Sequence, residues 1–474
     1  MIDDLKPYPE YKPSSQAWLG DVPQHWSVVP NRALFSEVKD RNHPDEEMLS
    51  VTITRGIVRQ KALLEGSSKK DSSNLDKSAY KLLQPRDIAY NKMRAWQGAI
   101  GASALRGIIS PAYVVMRLRN DDDLPIYFHH LYRTPQFAKE AERWSYGITS
   151  DMWSLRPEHF KMIYTPEPPS AEQAAIVRFL DWVNRRLERA IRSKRKVIAL
   201  LTEQKQAIIH RAVTRGFDPS VPLKPSGIPW LGDIPKHWGV SRMRRIVQPG
   251  RRLTYGVLKP GEYDTGGRLM VRAQDFSFGW TSPEKMFRVS KSVEEPYIRC
   301  RLAPGDLLYT LVGAGTGNVG VAPDWLDGAN ISRANARVAI DPSKAVPEFA
   351  ALVLRSPVGK EQVAFYSKGS AQPVLNLEYV GAFAFPIPPR TEQVEIVERV
   401  RSDTNGQDLV IARTEREIEL LREYRTRLVA DVVTGKFDVR EAAARLPEED
   451  ESNTADESVE LGDEIEPADE ETAA

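Results

Sequence analysis

The segment Trp18-Leu19-Gly20-Asp21-Val22-Pro23-Gln24-His25-Trp26 returns later in the chain as Trp230-Leu231-Gly232-Asp233-Ile234-Pro235-Lys236-His237-Trp238. Seven of the nine positions are identical, both tryptophans included, at an offset of 212 residues. A second echo follows at 220 residues. Pro168-Pro169, Glu172-Gln173 and Ile176-Val177 reappear as Pro388-Pro389, Glu392-Gln393 and Ile396-Val397. Val213-Thr214 and Phe217-Asp218 match Val433-Thr434 and Phe437-Asp438 at that same offset. A period above 200 residues marks a duplicated domain, because solenoid repeats are far shorter. Each copy runs from the tryptophan-bounded segment, through a divergent middle, to a helical end. Two readings fit ends that agree around middles that differ. One is a common frame carrying two recognition surfaces, and the other is drift after duplication.

A long helical pattern follows each Pro-Pro. Residues 171–212 contain no Pro or Gly, and Ser170 followed by Gln173 reads as a capping box. Positions 176, 180, 183, 187, 190, 194, 197, 201, 204 and 208 alternate spacings of four and three, and eight of the ten are apolar. That is the narrow seam of a coiled coil. At 1.5 Å per residue the 42 residues span roughly 63 Å. The matching segment from Thr391 to Val433 is expected to break at Gly406. Its seam resumes at Ile411, Thr414, Ile418, Leu421, Arg425, Leu428 and Val432. Two seams in equivalent repeats of one chain bury most simply against each other, antiparallel and related by a pseudo-two-fold. Dimerisation with another copy is the alternative.

The middles read as mixed helix and strand. Strands are expected at Asp87–Lys92 and Ala112–Leu118, and again at Asp306–Val312 and Ala336–Ile340. Short helices are expected at Pro125–Tyr132 and Pro347–Leu354, each ending near Arg-Thr-Pro or Arg-Ser-Pro (Arg133-Thr134-Pro135, Arg355-Ser356-Pro357). The fold class is thus mixed α/β (α+β): two globular domains separated by two long antiparallel coiled-coil helices, with an internal duplication. The divisions are 1–169 and 213–389 for the globular domains, 170–212 and 390–440 for the helices, and 441–474 for an acidic tail.

Charge sharpens the picture. The 474 residues carry 66 Lys+Arg against 65 Asp+Glu, a net of +1. Thirteen of the acids lie between Glu448 and Glu471, where no basic residue occurs, so the body of the chain carries +14. By composition the tail is disordered. The excess is +6 over residues 170–212 and +7 over 213–389, against +2 for 1–169 and −1 for 390–446. A single cysteine, Cys300, excludes an internal disulfide and a cysteine zinc site. The N-terminus has no signal-peptide character, and no apolar run reaches the ~18–20 residues of a membrane span. A soluble, cytoplasmic protein is expected.

Catalytic constellations are missing. Gly315-Thr316-Gly317-Asn318-Val319-Gly320 fits the dinucleotide pattern, but Val321-Ala322-Pro323 follows it where a helix is required. A glycine-rich hairpin turn is the other reading. There is no phosphate loop, no amino-methyltransferase Asn/Asp-Pro-Pro-aromatic motif, no zincin motif and no nucleophile elbow. Binding, not catalysis, is the expectation. On the first long helix Arg185, Arg189, Arg192 and Lys196 form either a merely solvated helix face or a set of phosphate contacts, which give affinity without sequence information; the second suits a duplicated pair of globular domains better. Base reading needs Arg, Lys, Asn or Gln on surfaces that enter a groove. Candidates are Arg55, Arg59, Lys92, Arg94 and Gln97 in the first copy. In the second they are Arg251, Arg252, Tyr255, Arg272, Gln274, Arg333 and Asn335.

These features together resemble the specificity (S) subunit of type I restriction-modification systems, over residues of about 10 to 440. The likeness rests on the two tryptophan-bounded segments, the two Pro-Pro-x-x-Glu-Gln starts, the long helices and their Val-Thr-x-x-Phe-Asp exits. Asn91–Gly98 and Gly305–Leu308 also look like parts of target-recognition domains. The resemblance implies double-stranded DNA as partner, with each target-recognition domain reading one half of a split site and the paired helices acting as a ruler. It implies two methyltransferase (M) subunits using S-adenosylmethionine on adenine, and two restriction (R) subunits driven by ATP with Mg. It implies that this chain is not catalytic and itself binds no cofactor or metal. A sequence-independent DNA-binding or antirestriction scaffold is the competing class. An enzyme built on Gly315–Gly320 is a third.

Overall fold

The computed structural model of the chain describes residues 5–64, 76–147, 153–277, 279–313, 315–367 and 374–447. The acidic segment from Glu448 onward therefore lies outside the described residues. The chain forms two compact units, Met1–Ser193 with Glu417–Ala474, and Lys194–Arg416. Each unit thus draws on both long helices.

In the first unit the tryptophan-bounded segment closes a hairpin in which Tyr11–Pro13 pairs antiparallel with Asp21–Pro23. Gly20 adopts φ +67°, a left-handed conformation that a side chain would strain. Its carbonyl accepts the Ser14 N–H at 3.1 Å. Leu19, Val22 and Trp26 face inward and are buried. The second unit repeats each feature. Leu223–Pro225 pairs with Asp233–Pro235, Gly232 has φ +64°, and Leu231, Ile234 and Trp238 are buried.

The divergent middles share one sheet topology. In the first unit four antiparallel strands lie in the order Phe35–Val38, Tyr113–Leu118, Ile88–Asn91, Ile100–Ala102. In the second the order is Thr254–Tyr255, Asn335–Val338, Leu307–Thr310, Val319–Val321. Both read first, fourth, second, third along the chain. Fully buried Tyr90 and Tyr309 occupy the second strand of each sheet. The expected strands are present with ends shifted by one or two residues. The expected helices are Pro125–Tyr132 and Pro347–Arg355. The middles keep this shared plan with few identical residues because alternating apolar residues serve it equally well whatever their identity.

The first long helix is Ser170–Arg215 and the second Arg390–Val433. Within the first unit, Ile176, Leu180, Val183 and Leu187 share a core with Leu428, Val432 and Val433. Arg425 approaches Glu188 there at 3.4 Å. Within the second unit, Ile209, Ala212 and Val213 share a core with Ile396 and Val400, and Lys205 pairs with Asp408. In each unit the start of one helix lies beside the end of the other, so their local pairing is antiparallel.

Three expectations require correction. Gly406 does not interrupt the second helix. Its α-carbon faces open space, and the ~1 kcal/mol that glycine costs in a helix is offset by packing on either side. The capping box does not form. The Gln173 side chain instead accepts the Leu124 N–H at 2.8 Å and donates to Asp123 Oδ1 and the Pro168 carbonyl. Finally, the first seam leaves strict heptad spacing after Leu187. Ile191 is buried where Ala190 was expected, Ile209 is buried beyond Ile208, and Val197 is 44% exposed. A straight helix drifts about 20° per heptad, so the apolar stripe moves on by one residue. The folded body also continues past 440, with a short helix at Arg440–Ala444 and Leu446 buried.

Candidate nucleic-acid interface

Each copy holds its frame with the same polar latch, buried in the first copy and half-buried in the second. Glu172 is nearly inaccessible, and its carboxylate accepts from Trp26 Nε1 at 2.9 Å and lies 2.7 Å from His25 Nε2. The Tyr8 hydroxyl donates to the same group. Burial, reinforced by that carboxylate, pushes the Tyr8 hydroxyl well above its ordinary range, so it stays a donor. In the second copy Trp238 Nε1 donates to Glu392 at 3.0 Å and His237 Nε2 lies at 2.9 Å. The neighbouring glutamine points the other way. Gln393 accepts the Val346 N–H at 2.8 Å and donates to the Pro388 carbonyl at 2.9 Å, as Gln173 does at Leu124 and Pro168. The repeated motifs therefore carry architecture.

In the first copy Arg55 sits at the exposed tip of a hairpin, Leu49–Thr52 against Gly56–Arg59. Its backbone N–H is held by Thr52 Oγ1 at 3.0 Å. Arg59 ends the second strand and pairs with Glu47 at 3.3 Å, both well exposed. Lys92, Arg94 and Gln97 lie on the turn joining Ile88–Asn91 to Ile100–Ala102. Arg94 Nη1 donates to Gln97 Oε1 at 3.1 Å, and the Gln97 side chain is exposed.

One residue that sequence reasoning passed over joins these two clusters. Arg133, at the end of the Pro125–Tyr132 helix, donates from Nη2 to the carbonyls of Ile53 and Thr54, both at 2.7 Å. Its Nη1 reaches Thr52 at 3.4 Å, Gly98 at 3.2 Å and Ile100 at 2.9 Å. One turn earlier, His129 Nδ1 accepts the Ala102 N–H at 3.2 Å. Burial, helped by the neighbouring His130 and Arg133, lowers His129 to about 3 and keeps it neutral. The signal for Arg133 was its echo at Arg355, where Nε and Nη2 donate to the Val319 carbonyl at 3.2 and 2.9 Å.

In the second copy the candidates separate. Arg251 is committed to a bidentate pair with Asp306 at 2.8 and 2.6 Å. Asn335 is fully buried, accepting from Thr310 Oγ1 and donating to the Val271 carbonyl at 3.2 Å. Arg272 leans on Asp275 at 3.3 Å and lies over the Phe287 ring at 5.8 Å. Arg252, Tyr255, Gln274 and Arg333 are exposed. Three of these share one platform, because residues 331–333 lie between two other segments. Val257 N donates to the Ile331 carbonyl and Arg333 N to that of Val257, while Ser332 N donates to Val271. Tyr255, Gln274 and Arg333 are thereby carried on neighbouring strands of backbone.

The glycine-rich Gly315–Gly320 stretch lies in the connection between Leu307–Thr310 and Val319–Val321, which pair antiparallel. Gly317 has φ +94°, and a Cβ on Gly320 would meet Phe276 at 3.0 Å. A strand follows this turn where a pyrophosphate site would need a helix N-terminus. Among the described residues no group of three or more His, Cys, Asp or Glu side chains gathers as metal ligands. Among them, too, no helix is long and apolar enough to cross a membrane. On the first long helix Arg189, Arg192 and Lys196 are exposed, and Arg185 is half-buried.

No family model matches the chain. It is 30% identical over 239 residues to the Escherichia coli type I restriction enzyme EcoBI specificity subunit, covering 50% of this chain and 50% of that one. It is 23% identical over 342 residues to the MjaVIII specificity subunit of Methanocaldococcus jannaschii, covering 71% and 75%. Its relatives are type I restriction specificity subunits. The match to the Escherichia coli relative spans about half of that protein's length. A chain from a solved type I restriction-modification system, described for complex assembly and conformational transition, superposes with a TM-score of 0.59 at 14% identity. That superposition covers 88% of this chain and 99% of the other. The chain thus shares the fold of that solved chain over most of its length.

Proposed function

We propose that this chain is the DNA-recognition subunit of a type I restriction-modification assembly. Each compact unit reads one half of a bipartite site, and the chain recruits adenine-methyltransferase and ATP-dependent restriction subunits. The observation that carries the reading is one latch and one sheet topology used twice, with two unlike sets of exposed or half-buried polar side chains on the loops. A split target needs two readers of common build and different surface. In the first copy the readers are Arg55, Lys92, Arg94 and Gln97, with Arg59 at the rim. In the second they are Arg252, Tyr255, Gln274, Arg333 and Arg272. Arg251 and Asn335 serve the scaffold. Arg185, Arg189, Arg192 and Lys196 supply phosphate contacts.

On this reading the chain performs no chemistry and works in the cytoplasm. S-adenosylmethionine, ATP and Mg belong to the partner subunits. The test is to map methylated adenines in cells carrying this chain with its methyltransferase and restriction genes. A bipartite motif that disappears when this chain alone is deleted is expected. A contiguous motif, or one independent of this chain, would overturn the reading.

A further inference from the structure

We propose that Arg133 is a positioning residue for sequence readout: it sets which half-site the first copy reads by locking two recognition loops together from behind. This rests on the DNA-reading role proposed above. Three successive carbonyls of the hairpin tip (Thr52, Ile53 and Thr54) and two of the following turn (Gly98 and Ile100) converge on one guanidinium. The tip carries Arg55, and the turn carries Lys92, Arg94 and Gln97. Arg133 thus holds the backbone beneath each cluster.

The chemistry of arginine suits the task. Its planar fork offers five donors in fixed directions, whereas a lysine ammonium offers three on a flexible stem. Among the described residues no carboxylate pairs with Arg133, so its donors are spent on backbone. Burial draws the guanidinium down to about 10, which still leaves it protonated at neutral pH. His129 supports the same region from the same helix, with Gly56 and Gly101 packed against its ring closely enough that a Cβ would lie 3.0 and 2.9 Å from it. The second copy keeps an arginine in the matching place, but Arg355 reaches the single carbonyl of Val319. A five-carbonyl clamp behind one reader is more than a helix end requires. Holding bidentate base contacts in register does require it, because hydrogen-bond readout fails with small displacements.

The experiment compares the wild-type chain and Arg133→Lys, each in complex with its partner subunits, by selecting bound duplexes from a randomised pool and by affinity for unrelated DNA. Arg133→Lys is expected to lower the preference for one half-site about tenfold or more. The other half-site and the affinity for unrelated DNA should stay within about twofold, since phosphate contacts do not pass through these loops. Hydrogen exchange should speed up over residues 52–56 and 94–100 while Val114–Leu118 keeps wild-type protection. A variant that selects both half-sites as the wild type does would overturn the proposal. So would equal loss of both half-sites or loss of sheet protection, which would make Arg133 a core residue only. A wild-type complex that selects no sequence would instead sink the DNA reading itself.

Discussion

Trp26 donates its indole N–H to Glu172 at 2.9 Å, and in the second copy Trp238 donates to Glu392 at 3.0 Å. The most recognisable feature of the sequence is therefore a pair of motifs that need each other. A buried indole N–H and a buried carboxylate each carry a large desolvation cost when left alone, and the pairing removes both.

The two latches are unequal, and their loss should be unequal too. The Glu172 side chain is 4% exposed and serves Tyr8, His25 and Trp26, whereas that of Glu392 is 27% exposed and serves His237 and Trp238. Glu172→Ala is expected to cost about 2–4 kcal/mol in denaturant unfolding, and Glu392→Ala about half as much. A larger loss for Glu392→Ala would contradict this ranking.

Asn335 and Arg333 stand two residues apart with opposite consequences. Asn335→Ala removes a fully buried side chain bonded at both ends, so stability should fall by roughly 1–3 kcal/mol. Arg333→Ala alters an exposed side chain and should leave the melting transition within about 0.5 kcal/mol. It should instead weaken binding to the selected site by roughly 1–3 kcal/mol. Paired calorimetry and anisotropy measurements separate the two. Unchanged selectivity in Arg333→Ala would remove it from the set of readers.

Salt titration tests the helix. If Lys196 and Arg192 contact phosphates, Lys196→Ala and Arg192→Ala should each reduce the slope of log affinity against log salt by about 1. Half-site preferences should not change. Slopes equal to wild type would mark this face as merely solvated.

His129 gives a pH dependence whose sign is fixed. Its folded value, about 3, lies below the ordinary 6.5, so the unfolded chain takes up a proton first as pH falls. The stability contributed by neutral His129 is complete above about 6.5 and is lost progressively toward 3. Between pH 6.5 and 4.5 the wild type should lose about 1–3 kcal/mol more than His129→Gln, which has nothing to titrate there. Parallel denaturation curves at the two pH values would contradict it.

What could be read along the chain was whatever depends on residue identity at short range or on exact repetition. Trp26, Glu172, Trp238 and Glu392 stood out through exact repetition, and both long helices stood out through their spacing. The Pro125–Tyr132 and Pro347–Arg355 helices were legible from their proline starts. Gly406 misled because local propensity is a weak term once a helix is packed along its length. The first seam misled after Leu187 because the heptad spacing fits a supercoil that this helix does not hold.

The sequence by itself determined the duplication, the frame and the two helices. Only the tertiary structure decided which polar side chains are committed to the protein itself. Arg251 and Asn335 have the residue types of base readers, yet Asp306, Thr310 and Val271 claim their hydrogen bonds. Arg133 looked like a helix end and proved to tie two loops together. The physical reason is that a side chain's donors and acceptors are the same in either role. Whether they serve the protein or a ligand depends on partners brought near from distant parts of the chain, which local sequence does not encode.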